Sequence, residues 1–128
     1  MVKHSGGCHC GRVRFEISAP QDIVASECNC SMCSKSAYLG LIVSRSRFTL
    51  LAGEENLTTY TFNTGVAKHL FCSCCGIKSF YVPRSHPHGY NVNVRCLDPA
   101  TIRNLSVKPF NGQEWEKHAC EFQPLSDD

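Results

Sequence analysis

Seven of the ten cysteines stand at the spacings of metal ligands: Cys8 and Cys10, then Cys28, Cys30 and Cys33, then Cys72 and Cys75. A tetrahedral ion such as zinc takes four protein ligands in a structural site, and three plus an exchangeable molecule in a catalytic one. The first and last pairs are set among Gly6, Gly7, Gly11 and Gly76. They read as two turns that together close one four-ligand site, because glycine permits the tight backbone that points sulfurs inward. The middle triplet packs its three sulfurs into a six-residue stretch. It can wrap one side of a second ion and leave the fourth position to solvent or substrate, so chemistry is expected at the triplet and support at the four-cysteine site.

A disulfide framework is the competing use of ten cysteines in a short chain, and it belongs to secreted domains. The opening residues, Met1-Val2-Lys3-His4-Ser5-Gly6-Gly7, contain no apolar core of the kind a signal peptide requires. Two cysteines one residue apart also make awkward disulfide partners. Metal ligation in a reducing compartment is therefore expected, with the cytoplasm as first location and the nucleus as second. Cys74 sits inside the last cluster, but a Cys-x-x-Cys pair reaches around an ion more naturally than adjacent cysteines, which leaves Cys74 spare. Cys96 and Cys120 have no neighbour at ligand spacing and read as small buried hydrophobes.

The elements that must position these sulfurs read mostly as strands. Period-2 alternation in Arg12-Val13-Arg14-Phe15-Glu16-Ile17 turns Val13, Phe15 and Ile17 to a core and the charges to solvent. Short runs rich in β-branched and aromatic residues follow at 22–27, 38–43, 47–51, 57–62, 68–71, 77–82 and 90–94. The stretch 83–89, which carries His86 and His88, holds too many breakers for regular structure. Asp98 as N-cap and Pro99 at the first position predict a helix over 100–105, and a second short helical stretch is expected over 113–120. The expected architecture is mainly β, with two short helices near the C-terminus, in a single domain over 1–128.

Composition narrows the function classes. Hydrophobic residues make up 42% of the chain and charged residues 19%, which suits a globular protein rather than a disordered one. No apolar run approaches the ~20 residues of a membrane span. Thirteen basic residues face eleven acidic ones, a balance that gives no sign of the basic face a nucleic-acid binder uses.

The combination Gly6-Gly7-Cys8-His9-Cys10-Gly11-Arg12-Val13-Arg14-Phe15, Cys28-Asn29-Cys30-Ser31-Met32-Cys33 and Phe71-Cys72-Ser73-Cys74-Cys75-Gly76 resembles the glutathione-dependent formaldehyde-activating enzyme family. The stretches Thr58-Thr59-Tyr60-Thr61-Phe62-Asn63-Thr64, Ser79-Phe80-Tyr81-Val82-Pro83-Arg84-Ser85 and Phe110-Asn111-Gly112-Gln113-Glu114-Trp115-Glu116-Lys117 look closest to its animal centromere protein V branch. The resemblance implies a β-tent fold of the Mss4-like type. It implies two zinc ions: a structural one on Cys8, Cys10, Cys72 and Cys75, and a labile or catalytic one on Cys28, Cys30 and Cys33. It also implies carbon-sulfur lyase activity, which in the synthetic direction joins glutathione and formaldehyde into S-hydroxymethylglutathione.

A thiol near a metal is held as its anion, so the triplet suits capture of glutathione and a small aldehyde. Glutathione carries two carboxylates, and Arg45, Arg47, Lys68, Arg84 and Arg95 are the candidate cations by type. His86 and His88 are candidates for proton transfer, whereas His9 and Asn29, between ligands, are expected to project into solvent. Two further readings use the same residues: a zinc-stabilised binding module and a glutathione carrier without catalysis.

Overall fold

The alternation in β2 (Arg14–Ala19) buries Phe15, Ile17 and Ala19 almost completely, with Val13 just ahead of it. This face is the inner wall of a three-stranded antiparallel sheet in which β2 runs between β1 (Val2–Gly7) and β5 (Phe48–Ala52). A computed structural model describes residues 1–62 and 65–111 of the chain.

The second sheet has seven strands. They are β3 (Asp22–Cys28), β4 (Leu39–Ser44), β6 (Leu57–Tyr60), β7 (Lys68–Cys72), β8 (Phe80–Val82), β9 (Gly89–Asn93) and β10 (Asn104–Phe110), in the order β10-β3-β4-β9-β8-β7-β6. Its inner face contributes Ile23, Ala25, Leu39, Val43, Phe80 and Val92 to the core. Phe15 of the small sheet meets Phe80 of the large one edge-on at 6.0 Å, and Phe48 stacks on Tyr90 at 4.2 Å. Burying a side chain such as Phe15 contributes about 1.5–3 kcal/mol. The sheet pair is therefore held by large apolar residues at its centre, and Cys8 and Cys72 of the four-cysteine cluster are buried at the edge of that core, with Cys75 packed against it.

The fold is mainly β, as the sequence indicates, and three elements depart from the sequence pattern. Residues 100–105 are not a helix. A single 3-10 turn, Pro99–Thr101, gives way to β10, which pairs in parallel with β3 from Asn104 opposite Asp22 to Phe110 opposite Cys28. The ladder and the two Arg103–Asp22 bonds at 2.8 and 2.6 Å outweigh the local helix-start signal. Asp98 does precede the turn, but its side chain makes no capping bond and pairs with Arg14 at 2.7 Å. The polar, glycine-ended β1 carried no strand signal and exists through its ladder with β2. The triplet itself contains a helix, α1 (Ser31–Ser36). The suggested helix over 113–120 and Cys120 lie outside the described residues.

Candidate metal centres

Two turns from distant parts of the chain meet at the four-cysteine cluster. Cys8 and Cys10 occupy the turn between β1 and β2, Cys72 ends β7, and Cys75 lies in the turn that follows. Both turns finish on a glycine in the left-handed region, Gly11 with φ 81° and Gly76 with φ 77°, where a β-carbon would be strained. The amides of Gly11 and Gly76 donate to the carbonyls of Cys8 and Cys72 at 3.2 and 2.8 Å. Each turn thus folds back so that its sulfurs face the other. The four sulfurs lie within 4.8 Å of one another, with Cys8–Cys10 at 3.6 Å and Cys10–Cys72 at 3.7 Å. A tetrahedron of sulfurs about 2.3 Å from a zinc ion has edges of about 3.8 Å, so the donor set fits such an ion. The Arg12 backbone and guanidinium hold the Cys10 thiol down to about 6, while burial pushes Cys8 up. Cys74 is exposed and stands apart, 4.0 Å from Asn56 Oδ1. Cys96 packs against the core.

The triplet is local. Cys28 ends β3, Cys30 is the N-cap of α1, and Cys33 lies in its first turn, buried. The Cys30 amide donates to Cys28 Sγ at 3.5 Å and the Cys33 amide to Cys30 Sγ at 3.4 Å. Ala37, in a left-handed conformation with φ 53°, ends the helix, and the Tyr38 amide returns to the Cys33 carbonyl at 3.1 Å. The three sulfurs also fall within 4.8 Å of one another and can hold a metal ion from one side. Hydrogen bonds from Cys28 and then Cys33 pull the Cys30 thiol down to about 2, and the same sharing pushes Cys28 and Cys33 up.

A cavity of about 780 Å³ opens beside the triplet, lined by Cys28 and Cys33 together with Asn29, Tyr38, Arg95 and Phe110. Its volume falls within the ordinary range for small-molecule sites. Of the five candidate cations only Arg95 lines it, and its Nε is anchored on the Ala37 carbonyl at 3.0 Å. Arg45, Arg47, Lys68, Arg84, His86 and His88 are not among the lining residues. His9 and Asn29 are exposed.

Sequence reasoning missed the wall behind the triplet. Tyr38 and Tyr81 pack on Cys33 with their rings edge-on at 5.3 Å, and the Tyr38 hydroxyl donates to the Asn91 carbonyl at 2.7 Å. Lys78 is buried against both rings, with Nζ 2.6 Å from His69 Nδ1. Burial, followed by the Lys78 charge, pushes His69 down to about 4. Burial lowers Lys78 to about 8 against the pull of the Cys33, Cys30 and Cys28 sulfurs. No spacing rule marks Lys78 or His69. His69 stands on β7 and Lys78 in the segment joining β7 to β8, and only the antiparallel pairing of those strands brings the two together behind the triplet.

Fold and site together define a small β protein with one four-cysteine cluster and one three-cysteine cluster opening on a cavity. The chain belongs to the glutathione-dependent formaldehyde-activating enzyme family, whose model matches residues 3–117. It is similar to a Halomonas elongata protein provisionally named a glutathione-dependent formaldehyde-activating enzyme, at 35% identity over 78 residues, 55% of this chain. The match spans 50% of that protein's length. A crystal structure of a Rhodobacter sphaeroides protein superimposes with a TM-score of 0.69 at 35% identity, over 81% of this chain and 99% of that one. Among the described residues no helix is long and apolar enough to cross a membrane.

Proposed function

We propose that the chain is a zinc-dependent enzyme of the carbon-sulfur lyase type, acting on adducts of glutathione and formaldehyde. Cys8, Cys10, Cys72 and Cys75 hold a structural zinc ion in this reading, and Cys28, Cys30 and Cys33 hold an exchangeable one. The observation that carries it is the cavity beside the triplet, lined by Cys28 and Cys33: the four-cysteine cluster offers a full set of four sulfurs, whereas the triplet offers three and borders a space large enough for a tripeptide. Family membership supports the choice of substrates.

When bound at the triplet, the ion supplies positive charge that stabilises a thiolate and polarises a carbonyl oxygen. The chain's own residues do the rest. Arg95 at the cavity rim pairs with a glutathione carboxylate and sets how far the thiol reaches. Tyr38 and Phe110 cover the apolar side of the bound molecule. In the synthetic direction the new bond joins sulfur to the aldehyde carbon, the carbonyl π bond breaks, and the thiol proton ends on oxygen. Holding sulfur and carbonyl at contact distance replaces a bimolecular encounter by an oriented one.

Elemental analysis of the native protein tests this. About two zinc ions per chain, one of them lost on dialysis against chelator and retained with glutathione, is the expected result. One firmly held ion that glutathione leaves unaffected overturns it. Turnover above the uncatalysed addition of glutathione to formaldehyde separates the enzyme from a carrier built on the same residues.

A further inference from the structure

Lys78 is 8% exposed, and no carboxylate is paired with it among the described residues. A buried ammonium without an acidic partner is costly unless other groups compensate it. His69 Nδ1 accepts a hydrogen bond from it at 2.6 Å. The Tyr81 ring centroid lies 4.0 Å away and the Tyr38 centroid 4.8 Å away, so two ring faces add cation–π attraction. These same two rings pack on Cys33, with Cys28 and Cys30 against the cluster. Lys78 and the triplet thus share one wall of two tyrosine rings, and the sulfurs of Cys33, Cys30 and Cys28 act on Lys78 electrostatically.

We infer that Lys78 is a positioning residue for the three-cysteine site: its fixed positive charge, clamped by His69 beneath Tyr38 and Tyr81, favours the net negative charge that the site acquires when it takes a divalent ion and then a thiolate. The sign follows from the balance of charge. Three thiolates around a dication make a group of net charge minus one, and a further thiolate makes it minus two. A cation buried next to that group stabilises each step, because Coulomb attraction is strong where water is excluded. Three thiolates otherwise discourage a fourth, and Lys78 offsets that repulsion. The inference rests on the reading of the triplet as a metal site.

Cobalt(II), followed by its thiolate-to-metal absorption and by competition with a chelator, reads the effect at fixed pH. K78M removes charge and hydrogen bond; K78Q removes the charge but keeps a donor for His69 and nearly the same size. The first equivalent of cobalt, in the four-cysteine cluster, reports folding and is expected to bind unchanged. The second is expected to bind about tenfold more weakly in both variants, and glutathione binding to the loaded protein is expected to weaken again. If K78Q keeps wild-type affinity while K78M falls, Lys78 acts through shape and hydrogen bonding, and the charge role is overturned. It is equally overturned if neither variant falls. Should K78M fail to take up the first equivalent, K78Q alone decides. Wild-type protein that binds only one equivalent overturns both this inference and the metal reading of the triplet. A normal second equivalent in all three proteins overturns the charge role alone.

Discussion

The two cysteine clusters assemble the same residue type in opposite ways. The four-cysteine cluster joins residues 62 positions apart in Cys10 and Cys72 and ties the turn of one sheet to the end of a strand in the other. The triplet closes within one strand end and one turn of helix. Metal binding that gathers distant ligands is coupled to folding, because the unfolded chain has no preformed site. Ligands already gathered by local structure require little reorganisation, and their site can lose an ion while the sheets persist. In the proposed reading, sequence separation of ligands, rather than their number alone, distinguishes support from exchange.

The sharpest way to break that comparison is Cys72→Ser. Structural zinc sites are worth about 10–16 kcal/mol in small peptides at neutral pH, as much as the whole stability of an ordinary domain. The variant is expected to lose its cooperative thermal transition by circular dichroism. Cys33→Ser is the counterpart: the folded β spectrum is retained, the zinc content falls by one ion, and glutathione-dependent turnover drops to background. Equal loss of fold in the two variants ends the division of labour. Arg95→Gln sharpens the cavity's side of the comparison. Charged hydrogen bonds contribute about 1.5–3 kcal/mol, and at this exposed rim we expect about a tenfold rise in KM for glutathione with kcat little changed. A fall in kcat at constant KM contradicts the carboxylate role.

The smallest expected effect lies at the far end of β3 from the triplet. Hydrogen bonds from Arg103 and then Asn104 lower the Asp22 carboxyl below its usual range. A carboxylate whose folded pKa is depressed stabilises the protein above the unfolded value of about 4 and loses that contribution as pH falls through the folded value. Asp22→Asn should therefore leave stability at pH below the folded value nearly unchanged and cost a little at neutral pH. Chemical denaturation at the two pH values checks it, and a change of metal content would show that the two ends of β3 are not independent.

Much of this was legible in the chain. Cysteine spacing singled out the seven sulfurs that the structure gathers into two groups, and the alternation at Val13, Phe15 and Ile17 marks residues no more than 1% exposed. Strands whose pairing is non-local were not legible. The residues of β10 carry a proline and a helix-start signal just upstream, and become a strand only because β3 offers a parallel partner. The local signal at Asp98 was overridden by Arg14, which lies 84 positions away. Lys78 and His69 had no signature for the same reason: their roles arise from what the sheet places above them.

The parallel pairing of β10 with β3 has a practical consequence. Phe110 stands opposite Cys28, and its carbonyl accepts the Asn29 amide at 3.1 Å, so the last described strand braces the backbone at the first sulfur of the triplet. A version of the protein shortened to end before Phe110 would keep every cysteine of both clusters and still unbrace one of them. Shortened forms intended for metal or glutathione measurements therefore need to run at least through this residue.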